Sequence, residues 1–426
     1  MKKISIFGTG YVGLVTGICF AELGNYVVCV DIDKNKISGL KKGKIPIYEP
    51  GLEELLKKNI SKLEFTTDGA SAIKKTEIIF IAVGTPQGKN GGADLKYVEA
   101  VAEDIGKNMQ GPKIIVIKST VPVGSEIKIA EIIKKHYKGE FTIVSNPEFL
   151  REGSAIKDFL HPDRVIIGSS HQGVADALVK LYEPLNAPIF STDLRSAQLI
   201  KYASNAYLAT KISFMNEMAN LAEKLDANIE NIALGMGYDK RIGSDFLRAG
   251  VGYGGSCFPK DVKELIYTAR LNGSDLKILD AVEVVNDIQK VIPVKKLKEK
   301  LGKLDGAKVA ILGLSFKPNT DDLREAPSLA IIRQLLNFQV AIKAWDPVSI
   351  SEAKKIFPQI EYFTDIYKAL EGVDGAIIVT EWDEIKKIDL KKVKELMKKP
   401  IIIDGRNVLN QKEVKKLGFE YSGIGR

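Results

Sequence analysis

The stretch Ile4-Ser5-Ile6-Phe7-Gly8-Thr9-Gly10-Tyr11-Val12-Gly13 constrains this chain more than any other, because very few turns accommodate it. A short apolar strand runs into glycines spaced G-x-G-x-x-G, and a helical pattern from Val12 to Leu23 follows directly. Glycines so placed make the tight turn, admit a pyrophosphate to the backbone and leave it facing a helix N-terminus. The next strand, Val27-Val28-Cys29-Val30, ends at Asp31, about where an acid that binds a ribose 2′-hydroxyl is expected. A carboxylate there repels a 2′-phosphate, so NAD is expected rather than NADP. Lys36 reads either as a second ribose or phosphate contact or as a solvated helix lysine.

The strand-helix alternation continues beyond this unit. Strands read at about 3–7, 26–31, 77–83, 113–118, 141–145 and 164–168, separated by helical patterns, as in a parallel sheet covered on both faces. From Asp193 to Lys224 there is neither Pro nor Gly, and the run reads as one long helix, apolar on nearly all sides. Such a helix is expected to be buried between domains or subunits. Helical pattern persists to about residue 300, and strands return at 308–313, 339–345, 375–379 and 400–403. The expected fold is α/β: two Rossmann-like doubly wound parallel-sheet domains joined by a long central helix and helical connector. The expected divisions are 1–192, 193–300 and 301–426.

Several function classes are set aside by composition. No apolar run is long enough to cross a bilayer, and the net charge of +8 is spread without a dense basic block, so neither membrane nor nucleic acid is an expected partner. A mild positive bias suits anionic small molecules. Three cysteines, Cys19, Cys29 and Cys257, make no disulfide framework and no zinc spacing, and no metal is expected. The start Met1-Lys2-Lys3 leads straight into the first strand without a secretory apolar region, so a cytoplasmic enzyme is expected. Histidine is scarce, with His136, His161 and His171 only, which leaves acid/base work to lysines and carboxylates.

Cys19 and Cys29 lie in apolar patterns and read as core. Cys257 stands in Gly252-Tyr253-Gly254-Gly255-Ser256-Cys257-Phe258-Pro259-Lys260-Asp261, with Pro259 suited to a first helical turn. A thiol at a helix N-terminus is biased toward thiolate, the nucleophilic form, and Asp261 follows one turn later. The alternative is a buried cysteine after a glycine-rich turn. Lys201 and Asn205, i and i+4 in the long helix, share a face, either as proton shuttle and clamp on a developing alkoxide or as a polar pair at a subunit interface. Loops carrying Gly84-Thr85-Pro86, Lys118-Ser119-Thr120 and Asn146-Pro147-Glu148-Phe149-Leu150-Arg151-Glu152 leave strand carboxyl ends, where ligands of open parallel sheets bind. Thr85 and Thr120 also fit ordinary turn chemistry, and Glu148 and Glu152 also fit solvated loops. In the last third, Phe316-Lys317 and Asp404-Gly405-Arg406 present cations at strand ends where a nucleotide-linked substrate would lie.

These motifs occur in the order of the UDP-glucose/GDP-mannose dehydrogenase family, which the chain resembles over essentially its whole length. Within it, His161-Pro162-Asp163-Arg164-Val165 and the segment after Cys257 look most like the UDP-glucose-oxidising members. The N-acetylated UDP-sugar members carry a histidine just before the cysteine, where Ser256 stands here. The resemblance implies oxidation of the sugar C6 alcohol of UDP-glucose to the carboxylate with two NAD, through a thiohemiacetal and a thioester on Cys257. It implies that Lys201 and Asn205 hold the oxyanion, that Asp261 positions water or tunes Lys201, and that Glu148 is the base for hydrolysis, with Thr120 on the same water. By the same likeness Gly8, Gly10, Tyr11, Val12, Gly13, Asp31, Lys36, Thr85, Thr120, Glu152, Lys260 and Arg324 hold the cofactor. The substrate falls to Glu148, Phe149, Leu150, Lys201, Asn205, Phe246, Tyr253, Gly254, Lys317 and Arg406. Arg241 reaches the substrate of a neighbouring subunit, which implies a homodimer or higher homo-oligomer built on the long helix. Gln198, where many relatives carry glutamate, departs from the pattern without touching a proposed role. Competing readings are a GDP-mannose or other nucleotide-sugar 6-dehydrogenase, a two-electron hydroxyacid dehydrogenase needing no thiol, and a nucleotide-sensing module.

Overall fold

Ile78-Ile79-Phe80-Ile81 is apolar at every position, which a strand can be only where both sheet faces are covered. The computed structural model, which describes residues 1–88 and 91–426, buries all four. Phe80 joins Ile4, Ile6, Phe20 and Cys29 on one face, and Ile79 and Ile81 join Phe7, Val28 and Ile115 on the other, as side chains of period two must. The sheet has eight strands: β1 (Lys3–Phe7), β2 (Tyr26–Val30), β3 (Leu63–Thr66), β4 (Ile78–Ile81), β5 (Lys113–Ile117), β6 (Phe141–Ser145), β7 (Val165–Ser169) and β8 (Ile189–Thr192). Their order is β3-β2-β1-β4-β5-β6-β7-β8, and every pairing is parallel except β6 with β7.

A second, six-stranded sheet repeats the design with β9 (Lys308–Leu312), β10 (Ala341–Trp345), β11 (Glu361–Phe363), β12 (Gly375–Ile378), β13 (Ile401–Asp404) and β14 (Glu420–Ser422), in the order β11-β10-β9-β12-β13-β14 and all parallel. The first six strands of one sheet and the six of the other thus share the 3-2-1-4-5-6 order of the doubly wound fold. Four strands lie outside the sequence expectation: β3, β8, β11 and β14. All four are sheet edges, three or four residues long, each carries an acidic residue or serine, and in β8, β11 and β14 most residues are not buried.

By internal contacts the chain forms two compact units: Met1–Ser204 with Lys263–Gly273, and Asn205–Val262 with Ser274–Arg426. The helices Leu194–Lys224 and Phe258–Leu271 each run through a unit boundary. The long helix is not buried all round within this chain: its apolar residues Tyr207, Phe214 and Leu221 are exposed, one stripe at seven-residue spacing. Among the described residues no helix is long and apolar enough to cross a membrane.

The two sheets treat one position differently. Asp31 follows β2 and Asp346 follows β10, both at the carboxyl end of the strand beside the central one. Asp31 remains half-exposed, but Asp346 is 1% exposed and accepts from the N–H groups of Leu314 (2.7 Å), Ser315 (3.2 Å), Val348 (3.0 Å) and Ser349 (2.8 Å) and from the Trp382 indole (3.1 Å). In the second sheet the place of a ribose is filled by the protein's own donors. Asp346→Ala therefore strands several buried N–H groups and is expected to destabilise the second unit by at least about 3 kcal/mol, measured as a shift of its denaturant transition.

Candidate active site

The fingerprint turn is built for close approach. Gly8 sits at φ +104°, and a Cβ there would lie 2.7 Å from the Ala82 carbonyl oxygen; a Cβ at Gly13 would meet the Gly8 carbonyl oxygen at 2.0 Å. At Gly10 a Cβ would face open space, so the backbone at the start of the helix Tyr11–Glu22 is bare. Asp31 is pre-set by the Thr9 N–H (2.9 Å) and hydroxyl (2.7 Å) and by the Asp33 N–H (3.0 Å). Burial pushes its carboxyl up, but these donors and the Lys36 charge outweigh it and hold the group below the usual carboxylate range. A bare helix N-terminus beside an ionised acid fits the pyrophosphate and ribose of a dinucleotide. Val12 is half-buried in the first turn of that helix, and the Tyr11 hydroxyl lies 2.7 Å from the Gly153 amide, which ties the turn to the loop carrying Glu152.

Loops from β4, β5 and β6 gather at the same edge. The Thr85 hydroxyl donates to the Thr120 carbonyl at 2.8 Å and so links two of them. Glu148 and Lys201 form an ion pair at 3.0 Å with both side chains about 95% buried, and the second Glu148 oxygen accepts from the Leu150 N–H at 2.6 Å. Taking either partner away from such a pair leaves a buried uncompensated charge. Phe149 lies between two cations, with the Arg164 guanidinium 3.7 Å and Lys201 Nζ 5.3 Å from its ring centre. Gln198 is structural: it accepts from the Gly124 N–H at 2.8 Å and donates to Glu126 at 3.0 Å.

The second unit holds the thiol. Cys257 is half-buried and immediately precedes the helix Phe258–Leu271, where the Asp261 N–H donates to its carbonyl at 2.9 Å. Asn205 donates one amide hydrogen to Asp261 at 2.6 Å, which fixes the amide and leaves the other hydrogen of that nitrogen to aim elsewhere; Lys260 holds the other Asp261 oxygen at 2.7 Å.

The loop before the thiol is anchored at nearly every residue. Asn216 accepts from Gly250 N–H (2.8 Å), Gln289 donates to Gly250 O (2.7 Å), Asn286 accepts from Tyr253 N–H (2.8 Å) and donates to Tyr253 O (3.2 Å), and the Arg324 carbonyl accepts from Gly255 N–H (2.8 Å). Any Cβ at Gly254 would lie 2.4 Å from the Glu325 carbonyl oxygen, and Gly255, at φ +86°, packs under the Phe316 ring. Tyr253 donates to Glu283 at 2.7 Å and packs edge-on against Phe258, whose other ring neighbour is Phe246, a non-glycine residue at φ +63°.

Cations expected along the substrate site are held unequally. Arg406 donates to the carbonyls of Val379 (2.8 Å), Phe316 (3.0 Å) and Gly252 (3.4 Å) and pairs with Glu381 at 3.3 Å, and so braces the thiol loop. Lys317 lies 5.5 Å from the Phe316 ring centre, Arg324 pairs with Asp322 at 2.8 Å, and Arg241 is 88% exposed beside Asp239. Of the other thiols, Cys19 and Cys29 are buried and pushed up to about 12 by desolvation, which leaves them unreactive.

Sequence reading overlooked the residues that hold others in place. Glu49 accepts from the Gly153 and Ala155 N–H groups (2.6 and 2.8 Å) and fixes the start of the helix Ala155–Leu160. Asn216, Asn286 and Gln289 carried one usable signal: amides set within otherwise buried helix faces, where an unpaired polar group is costly.

Comparison with known proteins agrees along the whole chain. Residues 2–186 match the NAD binding domain, 195–288 the central domain and 310–411 the UDP binding domain of the UDP-glucose/GDP-mannose dehydrogenase family. UDP-glucose 6-dehydrogenase TuaD of Bacillus subtilis is 51% identical over 100% of this chain and 94% of that protein. Among solved structures, a UDP-glucose dehydrogenase from the hyperthermophilic archaeon Pyrobaculum islandicum superposes with a TM-score of 0.94 at 38% identity, covering 100% of this chain and 98% of that one. A UDP-D-ManNAc dehydrogenase from Pyrococcus horikoshii gives 0.88 at 28% identity, with 99% of each chain covered.

Asp31 sets the cofactor expectation. The wild-type enzyme should use NAD with at least about 100-fold higher kcat/KM than NADP, because a 2′-phosphate meets an ionised, part-buried carboxylate. Asp31→Ala should lose most of that ratio, chiefly through KM for NAD; comparable efficiency with both cofactors in the wild type would remove the role.

Proposed function

The chain belongs to the UDP-glucose/GDP-mannose dehydrogenase family, and from that premise we propose that it oxidises the C6 alcohol of UDP-glucose to the carboxylate of UDP-glucuronate, reducing two NAD per sugar. The observation that carries this reading is the thiol of Cys257, placed at a helix N-terminus on a loop braced at Gly250, Gly252, Tyr253 and Gly255. A two-electron alcohol oxidation has no use for such a thiol, whereas a four-electron one needs a nucleophile to retain the aldehyde.

NAD supplies the hydride acceptor for each oxidation, held by the Gly8–Gly13 turn, Asp31 and Thr85, with Lys36, Glu152, Lys260 and Arg324 assigned to its outer contacts. The remaining chemistry falls to the side chains. The C6 hydroxyl gives up its proton to water as the alcohol is oxidised, and Lys201 with the second amide hydrogen of Asn205 stabilises the negative charge left on the C6 oxygen. The Cys257 thiolate adds to the aldehyde carbon, giving a thiohemiacetal whose oxidation leaves a thioester. Glu148 takes a proton from water held with Thr120; the hydroxide adds to the thioester carbon, and the C–S bond breaks to return the thiolate and release the carboxylate. Asp261 holds Asn205 and Lys260 in register. Phe149, Leu150, Phe246, Tyr253, Gly254, Lys317 and Arg406 are assigned to the sugar nucleotide, Arg406 chiefly by bracing the loops that line it.

The family matches support a three-part division into 1–192, 193–300 and 301–426, for cofactor, connector and UDP-sugar. The exposed stripe of Tyr207, Phe214 and Leu221, with Leu225, Leu234 and Tyr238 also exposed, supports a homodimer, with Arg241, exposed in its pair with Asp239, assigned to a partner's substrate. The three free cysteines suit the reducing cytoplasm.

A panel of nucleotide sugars, GDP-mannose included, with NADH counted per molecule consumed, tests the substrate and the stoichiometry together: two NADH per UDP-glucose is expected, and one would return the enzyme to the hydroxyacid dehydrogenase class. Cys257→Ala should bind UDP-glucose and NADH near normally yet form no appreciable UDP-glucuronate over hours; two NADH per sugar from this variant would show another nucleophile. Arg241→Ala should raise KM for UDP-glucose by about tenfold, the loss of one charged contact, with NAD binding unchanged. A monomeric enzyme at assay concentration would remove the shared site.

A further inference from the structure

We propose that Lys118 is a positioning residue for the hydrolytic step: its buried ammonium fixes the Asn146 turn from which Glu148 projects and places a second cation near the Glu148–Lys201 pair. The proposal rests on the reading of Glu148 as the hydrolytic base. Lys118 directly follows β5 and is 4% exposed. Its Nζ donates to the Asn146 side-chain oxygen at 3.1 Å and lies 3.4 Å from the Asn146 carbonyl oxygen, while its backbone N–H is held by Ile81 O at 2.9 Å. The Tyr182 hydroxyl donates to the same Asn146 oxygen, and the Asn146 amide donates to Ile166 O at 2.8 Å. Asn146 is thus locked from three sides, two residues before Glu148.

A buried ammonium held only by neutral oxygens is an expensive arrangement unless its charge has a use. Among the described residues no carboxylate is in ion-pair contact with Lys118, yet it lines one small cavity together with Glu148, Asn146, Arg164 and Tyr182. The charges that face it are Glu148, which attracts it, and Lys201, which repels it; on the other elements around the cavity Asp158 is taken by Arg151 at 2.6 Å and Arg164 by the Phe149 ring. Glu148 therefore faces two buried ammonium groups, Lys201 in contact at 3.0 Å and Lys118 across the cavity that it and Glu148 line. Lys201 is assigned to the charge that develops on the C6 oxygen, whereas Lys118, held on Asn146, supplies a second counter-charge to Glu148. Burial, set against the attraction of Glu148, brings Lys118 down to about 8, so it carries its charge at neutral pH and yields it above.

The sign follows from this placement. The attraction between Lys118 and Glu148 is mutual, so without the Lys118 charge the carboxylate that takes the proton from water loses a stabilising cation. Single-turnover release of the carboxylate, followed against pH in wild type, Lys118→Met and Glu148→Gln, reads that loss. In Lys118→Met the acid limb should move up by at least about half a pH unit, a fall of about threefold in rate along that limb, with KM for UDP-glucose and NADH affinity within about twofold of wild type. A uniform fall at every pH with an unmoved limb would make Lys118 a packing residue and overturn the proposal. If Lys118→Met does not fold, Lys118→Arg decides: its permanent charge should keep the acid limb and abolish the wild-type ionisation near pH 8, and persistence of that ionisation overturns the proposal. Glu148→Gln separates the two readings. Carboxylate release at the wild-type rate in that variant removes Glu148 as base, whereas slow release there with an unmoved limb in Lys118→Met removes the role of Lys118 alone.

Discussion

Parallel pairing obliges each strand to hand its chain over at the same edge, so that loops distant in sequence must meet there. The site loops of the first unit follow from that constraint, with Lys201 brought to them by the long helix. Gly8, Thr85, Lys118 and Asn146 come after β1, β4, β5 and β6, which the sheet order places side by side. The one antiparallel pairing, β6 with β7, falls beyond them, so the sheet turns only after its fourth site loop has been delivered.

The same constraint acts in the second sheet and yields a different surface. There the acid after the second strand, Asp346, is consumed by backbone and indole donors, and a Cβ at Gly313, at φ +91°, would lie 2.4 Å from the Thr380 Cβ. A sheet of identical order thus lacks an open acid for a ribose. Its strand-end residues serve the thiol loop instead: Arg406, after β13, reaches the Gly252 carbonyl. Doubling the fold has given one edge with an open acid after its second strand and one whose corresponding acid is spent within the protein while Arg406 braces the thiol loop.

How far the sequence carries such an argument depends on how local the signal is. Central strands such as Ile78–Ile81 declare themselves by unbroken apolar runs, and the fingerprint turn by glycines that sterics alone require. Edge strands such as Glu361–Phe363 carry too few apolar residues to stand out, since half their surface faces solvent. Cys257 and the Lys201–Asn205 pair were legible from spacing. Their partners were not: the Glu148 contact of Lys201 spans 53 residues and the Asp261 contact of Asn205 spans 56, separations at which no periodicity survives. Arg406 shows the same limit in another form, since its residue type indicates a phosphate ligand while its three carbonyl contacts make it a brace.

Burial of charge is the remaining step from fold to chemistry. Lys201 and Glu148 are each about 5% exposed, which a protein tolerates only where the two compensate each other. Any shift of a proton between them, or from either to a substrate, leaves a charge unbalanced in a medium that screens poorly. The cost of that imbalance makes the pair responsive to a third charge at some distance, which an exposed pair would never register. A lysine out of contact with any carboxylate, such as Lys118, can therefore act on the reaction only because the pair it acts on is buried. Buried to the same degree without a pair, the Cys19 and Cys29 thiols are held protonated and silent. Cys257, half-buried at a helix start, has neither their insulation nor their packing.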